Sequence, residues 1–258
     1  MHLNFKTFGE GFPLIILHGL LGSLDNWQSI AKKLTLVPYK VYIIDQRNHG
    51  KSPHSDEFSY EILANDLFEF YQQQNISKAH IIGHSLGGKV AMKFALQHPD
   101  KVEKLVVVDI AASKYPDEDN AIFSALSAAD VHHAISREEV EKVLRSKLGN
   151  DETTIQFLLK GLNRDEAGKH FEWKFNLESL WKNYPNVGAS IESAKPFEGP
   201  VLFIKGQKSN YINPANYQQI MELFPNNVLT EIEGASHWVH ADKPNEFLEA
   251  VTKFLRED

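Results

Sequence analysis

The sequence predicts an α/β protein built on a mostly parallel sheet, with a block of helices inserted into it. Short apolar runs rich in β-branched residues alternate with helical patterns along most of the chain, and this alternation stops between Asp109 and Pro200. Such runs are typical of parallel strands that are covered on both faces. The predicted strands are Leu14 to Leu17, Val41 to Asp45, Ala79 to Ile82, Leu105 to Val108, Val201 to Ile204 and Val228 to Ile232.

The helices predicted between these strands carry apolar residues three or four positions apart, which is the spacing of one face of a helix. They lie at about residues 25–34, 60–73, 86–97, 214–224 and 243–256. Because the strands are apolar along their length, we expect helices on both faces of the sheet.

The segment of residues 112–198 is the predicted insertion. Helical patterns occupy about residues 121–129, 137–147, 152–161 and 177–183, with hardly any strand signal. A separate domain is the alternative, but no linker rich in Gly, Ser or Pro flanks the segment, and the strand pattern resumes after Gly199-Pro200. The sequence therefore predicts a helical cap of residues 112–198, inserted into a core domain of residues 1–111 and 199–258.

Composition excludes several classes of function. The chain of 258 residues is 42% hydrophobic and 24% charged, which is ordinary for a globular protein. The absence of cysteine excludes disulfides, thiolate metal sites and a cysteine nucleophile, and it permits the cytoplasmic location that we expect. A net charge of -7 without clustered Lys and Arg disfavours nucleic acid as a partner. We also expect neither export nor membrane insertion, because no signal peptide pattern or long apolar run is visible.

One serine lies in a context that favours nucleophilic chemistry. Residues 83–88 read Gly-His-Ser-Leu-Gly-Gly and lie between a predicted strand and a predicted helix. In a G-x-S-x-G turn the serine is forced into a strained conformation, and the glycines leave room where a Cβ would collide. The alternative is that Ser85 only caps the helix, but the apolar flanks on both sides favour the nucleophile.

A serine nucleophile needs a base and an acid that orients the base. Among twelve histidines, His237 is the best placed, because it directly follows the last predicted strand. Asp109 is the predicted acid: it ends the strand Leu105 to Val108, where burial would be costly without a partner. The segment after the strand 201–204 holds no acid, and we expect Ser209, which lies there, to hydrogen-bond to Asp109. The alternative for Asp109 is that it caps the first segment of the cap or pairs elsewhere.

The loop from His18 to Ser23 is predicted to supply an oxyanion hole. Its glycines allow backbone N–H groups to turn inward, and we expect the Leu20 N–H to act together with the Leu86 N–H at the helix N-terminus. A plain connecting loop is the alternative. Arg47 is interpreted as a scaffold residue that pairs with a buried carboxylate or with carbonyls, rather than as an anion-binding residue. Among the remaining histidines we treat His18 and His84 as structural, and His49, His98 and His240 as loop or helix-end residues.

Together, these motifs resemble the α/β-hydrolase superfamily. The resemblance rests on four segments and spans nearly the whole chain outside the cap: His18-Gly19, Asp45 to Ser52, residues 83–88 and Gly234 to Trp238. Within the superfamily, the segment Val108 to Ala111, with no acid at Ser209, is similar to the bacterial YbfF-type esterases, which place the acid where Asp109 stands. The resemblance implies an eight-stranded sheet, no cofactor or metal, and hydrolysis of carboxylic esters or acyl thioesters.

We accordingly expect a serine hydrolase that forms an acyl-enzyme on a small-molecule acyl ester or thioester. Aromatic residues of the cap are expected either to line an acyl pocket or to fill the core of the cap: Phe123, Phe157, Phe171, Trp173, Phe175, Trp181 and Tyr184. Two other functions remain open. One is a carbon-carbon bond hydrolase or lyase on the same scaffold, and the other is a ligand sensor without turnover.

Overall fold

A computed structural model describes residues 1–116, 121–165 and 167–257. Seven strands of this part of the chain form one sheet, in the order β1-β3-β2-β4-β5-β8-β9, and two more form a small hairpin. The strands are β1 Phe5–Phe8, β2 Phe12–Leu17, β3 Tyr39–Ile44, β4 Ala79–His84, β5 Val102–Val108, β6 Leu162–Arg164, β7 Phe171–Trp173, β8 Val201–Gly206 and β9 Asn227–Ile232.

All six predicted strands are present, and they pair in parallel, as expected. Sequence analysis missed β1, a short and partly exposed strand that pairs antiparallel with β3 at the edge of the sheet. The expected eight-stranded sheet is wrong: in the described residues, the main sheet has seven strands. Just before β1, the Asn4 N–H donates to Ser52 Oγ at 2.8 Å, and the Asn4 side-chain amide donates to Asp45 Oδ2 at 2.7 Å.

The predicted helices are also present, with boundaries within a few residues of those expected. The first is preceded by a 3₁₀ turn at Leu24–Trp27. The helices of the described residues are α1 Gln28–Leu34, α2 Tyr60–Gln73, α3 Leu86–Gln97, α4 Ala121–Ala128, α5 Arg137–Leu148, α6 Glu152–Lys160, α7 Leu177–Lys182, α8 Tyr184–Gly188, α9 Pro214–Leu223, α10 Val239–Asp242 and α11 Pro244–Arg256. No helix among the described residues is long and apolar enough to cross a membrane.

Alternate residues of each strand face opposite sides of the sheet, because the side-chain period of a strand is two. Ile81 therefore packs with Phe70 and Phe94 on the face covered by α2 and α3. Its neighbour Ile82 packs with Trp27 and Phe247 on the face covered by α1 and α11. Both faces are apolar, which explains the continuous hydrophobic runs in the sequence.

The segment between β5 and β8 contains α4 to α8 and the antiparallel hairpin of β6 and β7. Its buried residues, such as Phe123 and Leu158, belong to the same apolar cluster as Phe94 of α3. Strands of three residues are too short to show a period in the sequence, which explains why the hairpin was missed. The buried residues of the segment are thus continuous with the apolar core between α3 and the sheet.

The segment leaves and rejoins the sheet at a single junction, which we define as residues 112–115 and 188–191. The Tyr115 N–H donates to the Gly188 carbonyl at 2.8 Å, and the Ile191 N–H donates to the Ala112 carbonyl at 2.7 Å. These two backbone hydrogen bonds hold the outgoing and the returning chain together.

Candidate active site

Ser85 lies in the turn between β4 and α3. Its backbone has φ 51° and ψ -117°, a conformation that costs a non-glycine residue roughly 1–3 kcal/mol. A Cβ at Gly83 would lie 2.2 Å from the Gly87 carbonyl oxygen, and a Cβ at Gly87 would lie 2.4 Å from the Leu17 carbonyl oxygen. The predicted steric reason for both glycines is therefore confirmed. The Ser85 N–H donates to the Val108 carbonyl at 3.0 Å, which ties the strained turn to β5.

Asp109 directly follows β5, with φ 52° and a carboxylate that is fully buried. Its oxygens accept hydrogen bonds from three donors on other segments. The Gly206 N–H donates to Oδ1 at 2.9 Å, and His237 Nδ1 donates to Oδ2 at 2.7 Å. The Ser209 hydroxyl donates to the same Oδ2, as the sequence predicted. A buried carboxylate is tolerated here because its charge is matched by these donors.

His237 lies in the loop between β9 and α10, with 20% of its side chain exposed. A Cβ at Gly206 would lie 2.2 Å from the Ser236 carbonyl oxygen, so the loop approaches β8 closely only because residue 206 is glycine. Since Nδ1 donates to Asp109, Nε2 is the free ring nitrogen that can act as a base. The Tyr211 ring stacks on the imidazole with centroids 4.2 Å apart, a contact that sequence analysis missed.

His84, which precedes the serine, holds the backbone of His237. Its Nε2 lies 2.9 Å from the His237 carbonyl oxygen and must carry the proton, because a carbonyl only accepts. Burial lowers the pKa of His84 well below its usual value, so the ring is neutral at physiological pH. His84 is therefore a structural residue, as expected, and its role is to position the loop of His237.

The loop after β2 lies against Ser85. A Cβ built on Gly19 would lie 2.9 Å from His84 Nδ1 and 3.3 Å from Ser85 Cβ, so a side chain at this position would crowd the serine turn. Leu20 and Leu86 line the same cavity as Ser85. Leu86 is the first residue of α3, and its N–H has no acceptor within the helix. The loop is held from behind by buried His49, whose Nε2 accepts from the Leu21 N–H at 3.1 Å.

Arg47 has the scaffold contacts that the sequence favoured. Its guanidinium is buried and pairs with Asp66, with Nη2 and Oδ1 2.8 Å apart, and it donates to the Glu57 carbonyl at 2.9 Å. Among the described residues, no group of three or more His, Asp or Glu side chains could hold a metal ion.

The cavity in front of Ser85 has a volume of about 180 Å³ and is bounded by both parts of the chain. The sheet and its loops contribute Ser85, Leu86 and His237, whereas the inserted segment contributes an apolar wall. Of the aromatic residues singled out in the sequence, three belong to this wall: Phe123, Phe157 and Tyr184. The other four, Phe171, Trp173, Phe175 and Trp181, are not part of the cavity wall. Trp173 stacks on Phe175, with centroids 5.4 Å apart.

A strained serine at a strand-to-helix turn, which shares a cavity with a histidine bound to a buried aspartate, is typical of an α/β hydrolase, and the chain belongs to this family. The sequence matches the α/β hydrolase fold family over residues 13–244. The predicted fold family is therefore confirmed.

Individual relatives are similar over nearly the whole chain. The sn-1-specific diacylglycerol lipase of Danio rerio is 41% identical, covering 99% of this chain and 83% of the relative. Esterase YbfF of Escherichia coli is 36% identical, covering 95% of this chain and 93% of the esterase. Among solved structures, a marine microorganism esterase is 45% identical, with a TM-score of 0.93 and 98% of each chain covered. These findings confirm the resemblance to the YbfF-type esterases and the prediction that the chain is a hydrolytic enzyme.

Proposed function

We propose that the protein is a serine hydrolase that cleaves carboxylic ester or acyl thioester bonds through an acyl-enzyme on Ser85. The observation that carries the proposal is the 2.7 Å contact between Asp109 and His237, beside a serine held in a strained turn. Pairing with a buried carboxylate fixes the imidazole with Nε2 free, which is the arrangement a general base requires. The names of the relatives support ester substrates.

In the acylation step, the Ser85 oxygen forms a bond to the carbonyl carbon while its proton passes to His237 Nε2. The carbonyl oxygen becomes an oxyanion, which the N–H groups of Leu20 and Leu86 stabilise. The carbon–oxygen bond to the alcohol, or the carbon–sulfur bond to the thiol, then breaks. The leaving group takes the proton from His237.

Deacylation repeats this chemistry with water. His237 removes a proton from water as the water oxygen attacks the acyl carbon, and the proton then passes to the Ser85 oxygen as it leaves. The products are a carboxylic acid, the alcohol or thiol, and the free enzyme. Asp109 keeps the imidazole oriented and stabilises its cation in both steps.

We propose that the binding site is divided between the two parts of the chain. Residues 112–198 serve as a cap whose apolar residues line the acyl side of the cavity, the part that holds the acyl group of the substrate. Residues 1–111 and 199–258 supply the catalytic groups. A cavity of about 180 Å³ is smaller than the roughly 300–1,000 Å³ of pockets for drug-sized ligands, so we expect short acyl groups to react faster than long ones. The cytoplasmic location expected from the sequence stays a prediction.

The first test is the intact mass of the protein after treatment with a fluorophosphonate, a reagent that phosphonylates activated serines. The parent should gain one adduct, and Ser85→Ala should gain none. Ser146→Ala is the matched control, since its exposed hydroxyl donates only to the Val143 carbonyl at 2.7 Å. This variant should label at the rate of the parent.

A folded parent that gains no adduct would contradict the proposal and would favour the ligand sensor. A labelled parent that hydrolyses no ester or thioester of any acyl length would favour carbon-carbon bond cleavage on the same scaffold. A panel of acyl esters and thioesters of graded length therefore completes the test.

A further inference from the structure

Lys89 is a buried cation that the proposed mechanism does not use. It lies on α3, four residues after Ser85 and therefore one helical turn away on the same face. Only 1% of its surface is exposed, and it lines the cavity that contains Ser85. Burying a lysine costs free energy unless its donors are satisfied, so its partners indicate what it does.

Those partners are backbone carbonyls of the junction of residues 112–115 and 188–191. The ammonium donates to the Ser113 carbonyl at 2.9 Å, to the Ala189 carbonyl at 2.5 Å and, more weakly, to the Gly188 carbonyl at 3.4 Å. Ser113 lies where the chain leaves the sheet, and Gly188 and Ala189 lie where it returns. One side chain thus joins the outgoing and the returning chain of the inserted segment to α3, the helix that follows Ser85.

Two aromatic rings complete the surroundings of the ammonium. The Tyr115 ring centroid lies 4.7 Å from Nζ, and the Tyr60 ring centroid lies 5.5 Å away, both within the range of cation–π attraction. The Tyr60 hydroxyl donates to the Val187 carbonyl at 2.6 Å, which ties a second side chain of the core to the returning segment. Burial lowers the pKa of Lys89 to about 7.

We propose that Lys89 is a positioning residue: it holds the inserted segment against α3 and thereby sets the depth of the acyl side of the cavity. The cavity wall next to the junction is formed by Val187 and Gly188, so a displacement of the junction moves that wall relative to Ser85. Lys89 consequently determines which acyl lengths bind, without touching the reacting atoms. This inference rests on the proposed esterase function.

The test compares Lys89→Met with the parent on p-nitrophenyl esters from acetate to decanoate. Methionine keeps the length of the apolar stem and removes the donors. We expect KM for the preferred acyl length to rise about tenfold or more, because the junction loses hydrogen bonds to a charged donor and no longer holds the cavity wall in place. The preference among acyl lengths should become flatter, while kcat for the acetate ester and the rate of fluorophosphonate labelling stay within about threefold.

Lys93→Met is the matched control. Lys93 lies one turn further along α3, where its ammonium pairs with Glu61 at 2.7 Å rather than with the junction. Its removal should leave the acyl-length profile unchanged. An unchanged profile in Lys89→Met, or an equal change in both variants, would overturn the inference. So would a Lys89→Met variant that folds but loses labelling, because Lys89 would then act on the serine itself.

Hydrogen–deuterium exchange provides a second measurement that does not depend on activity. In Lys89→Met, exchange should become faster in residues 112–115 and 188–191, which contain the paired N–H groups of Tyr115 and Ile191, and should stay unchanged in α3. If Lys89→Met does not fold, Lys89→Arg replaces it, because a planar guanidinium cannot reproduce the contacts of the ammonium. Unchanged hydrogen–deuterium exchange at the junction would contradict the proposal that Lys89 holds the inserted segment against α3. A parent that fluorophosphonate does not label would instead contradict the proposed function. The exchange measurement would still test whether Lys89 holds the junction, because it does not depend on activity.

Discussion

The sheet with its loops and the inserted segment hold their functional residues in different ways. In the sheet, the candidate catalytic groups are bonded to fixed backbone or to one another: Asp109 accepts from the Gly206 N–H, and His84 Nε2 donates to the His237 carbonyl. In the inserted segment, the residues that line the cavity, such as Phe157 and Leu158, present apolar surface. Hydrogen bonds therefore fix the positions of the candidate catalytic groups on the sheet side, whereas the residues of the inserted segment determine the shape of the cavity.

The largest effect is expected at the centre of the sheet. Asp109→Asn should lower kcat/KM by about 10³–10⁴-fold, because an amide no longer stabilises the imidazolium or enforces its tautomer. Ester hydrolysis measures this change, and circular dichroism checks the fold. The control is Asp242→Asn at the end of α10, since the Asp242 carboxylate accepts from the Ser236 N–H and hydroxyl and not from the imidazole. A decrease of less than tenfold in Asp109→Asn would remove this residue from the site.

A smaller effect is expected at Ser209, whose hydroxyl donates to Asp109 Oδ2. Ser209→Ala removes one hydrogen bond to a buried charge, which is worth about 1.5–3 kcal/mol, so kcat should fall about 10- to 100-fold. KM should change little, because Ser209 lies outside the cavity wall of Ser85. A decrease in stability without any change in kcat would mean that the hydroxyl only supports the fold.

Buried His240 should also make the stability of the protein decrease at acid pH. His240 is buried, stacks on Trp27 with centroids 4.0 Å apart, and has a pKa lowered by burial from 6.5 to about 3. As the pH falls below 6.5, His240 becomes protonated in the unfolded chain but stays neutral in the native state. The free energy of unfolding therefore decreases progressively towards pH 3. The loss from this residue is about 2 kcal/mol near pH 5.

Replacement of His240 by Phe keeps an aromatic ring against Trp27 and removes this proton linkage. The difference between the free energies of urea unfolding at about pH 7.5 and about pH 5 should therefore shrink by about 2 kcal/mol. His2→Phe is the control, because the His2 side chain is exposed. An unchanged difference in His240→Phe would show that other buried groups carry the acid sensitivity.

The smallest effect on rate is expected in the inserted segment. Phe157 lines the cavity and packs on Trp238, with centroids 3.9 Å apart. Phe157→Ala enlarges the cavity and should shift the preferred acyl group to a longer one, while kcat for the acetate ester stays within about threefold. Phe171→Ala, a buried aromatic outside the cavity wall, should lower stability without this shift. A large loss of kcat in Phe157→Ala would contradict the conclusion that the inserted segment shapes the cavity without taking part in the reaction.

Much of the site was predictable because its signals are local. The glycines around Ser85 are required by contacts within one turn and its neighbouring strands, and Asp109 follows an apolar strand where an unpaired acid would be costly. The contacts that the sequence did not predict join distant segments. Three examples are the stacking of Tyr211 on His237, the hydrogen bond from His84 to the His237 carbonyl, and the hydrogen bonds from Lys89 to the junction.

The sequence by itself therefore determined the order of the six parallel strands and of the helices between them, the strained serine turn and the set of candidate residues. Periodicity and the steric needs of glycine act over a few residues, so they can be inferred without a fold. Only the tertiary structure decided that Tyr211 stacks on His237, which three aromatic residues of the insertion reach the cavity, and that Lys89 ties the junction to α3. Those contacts depend on how loops far apart in the chain pack against each other, and no local pattern encodes that packing.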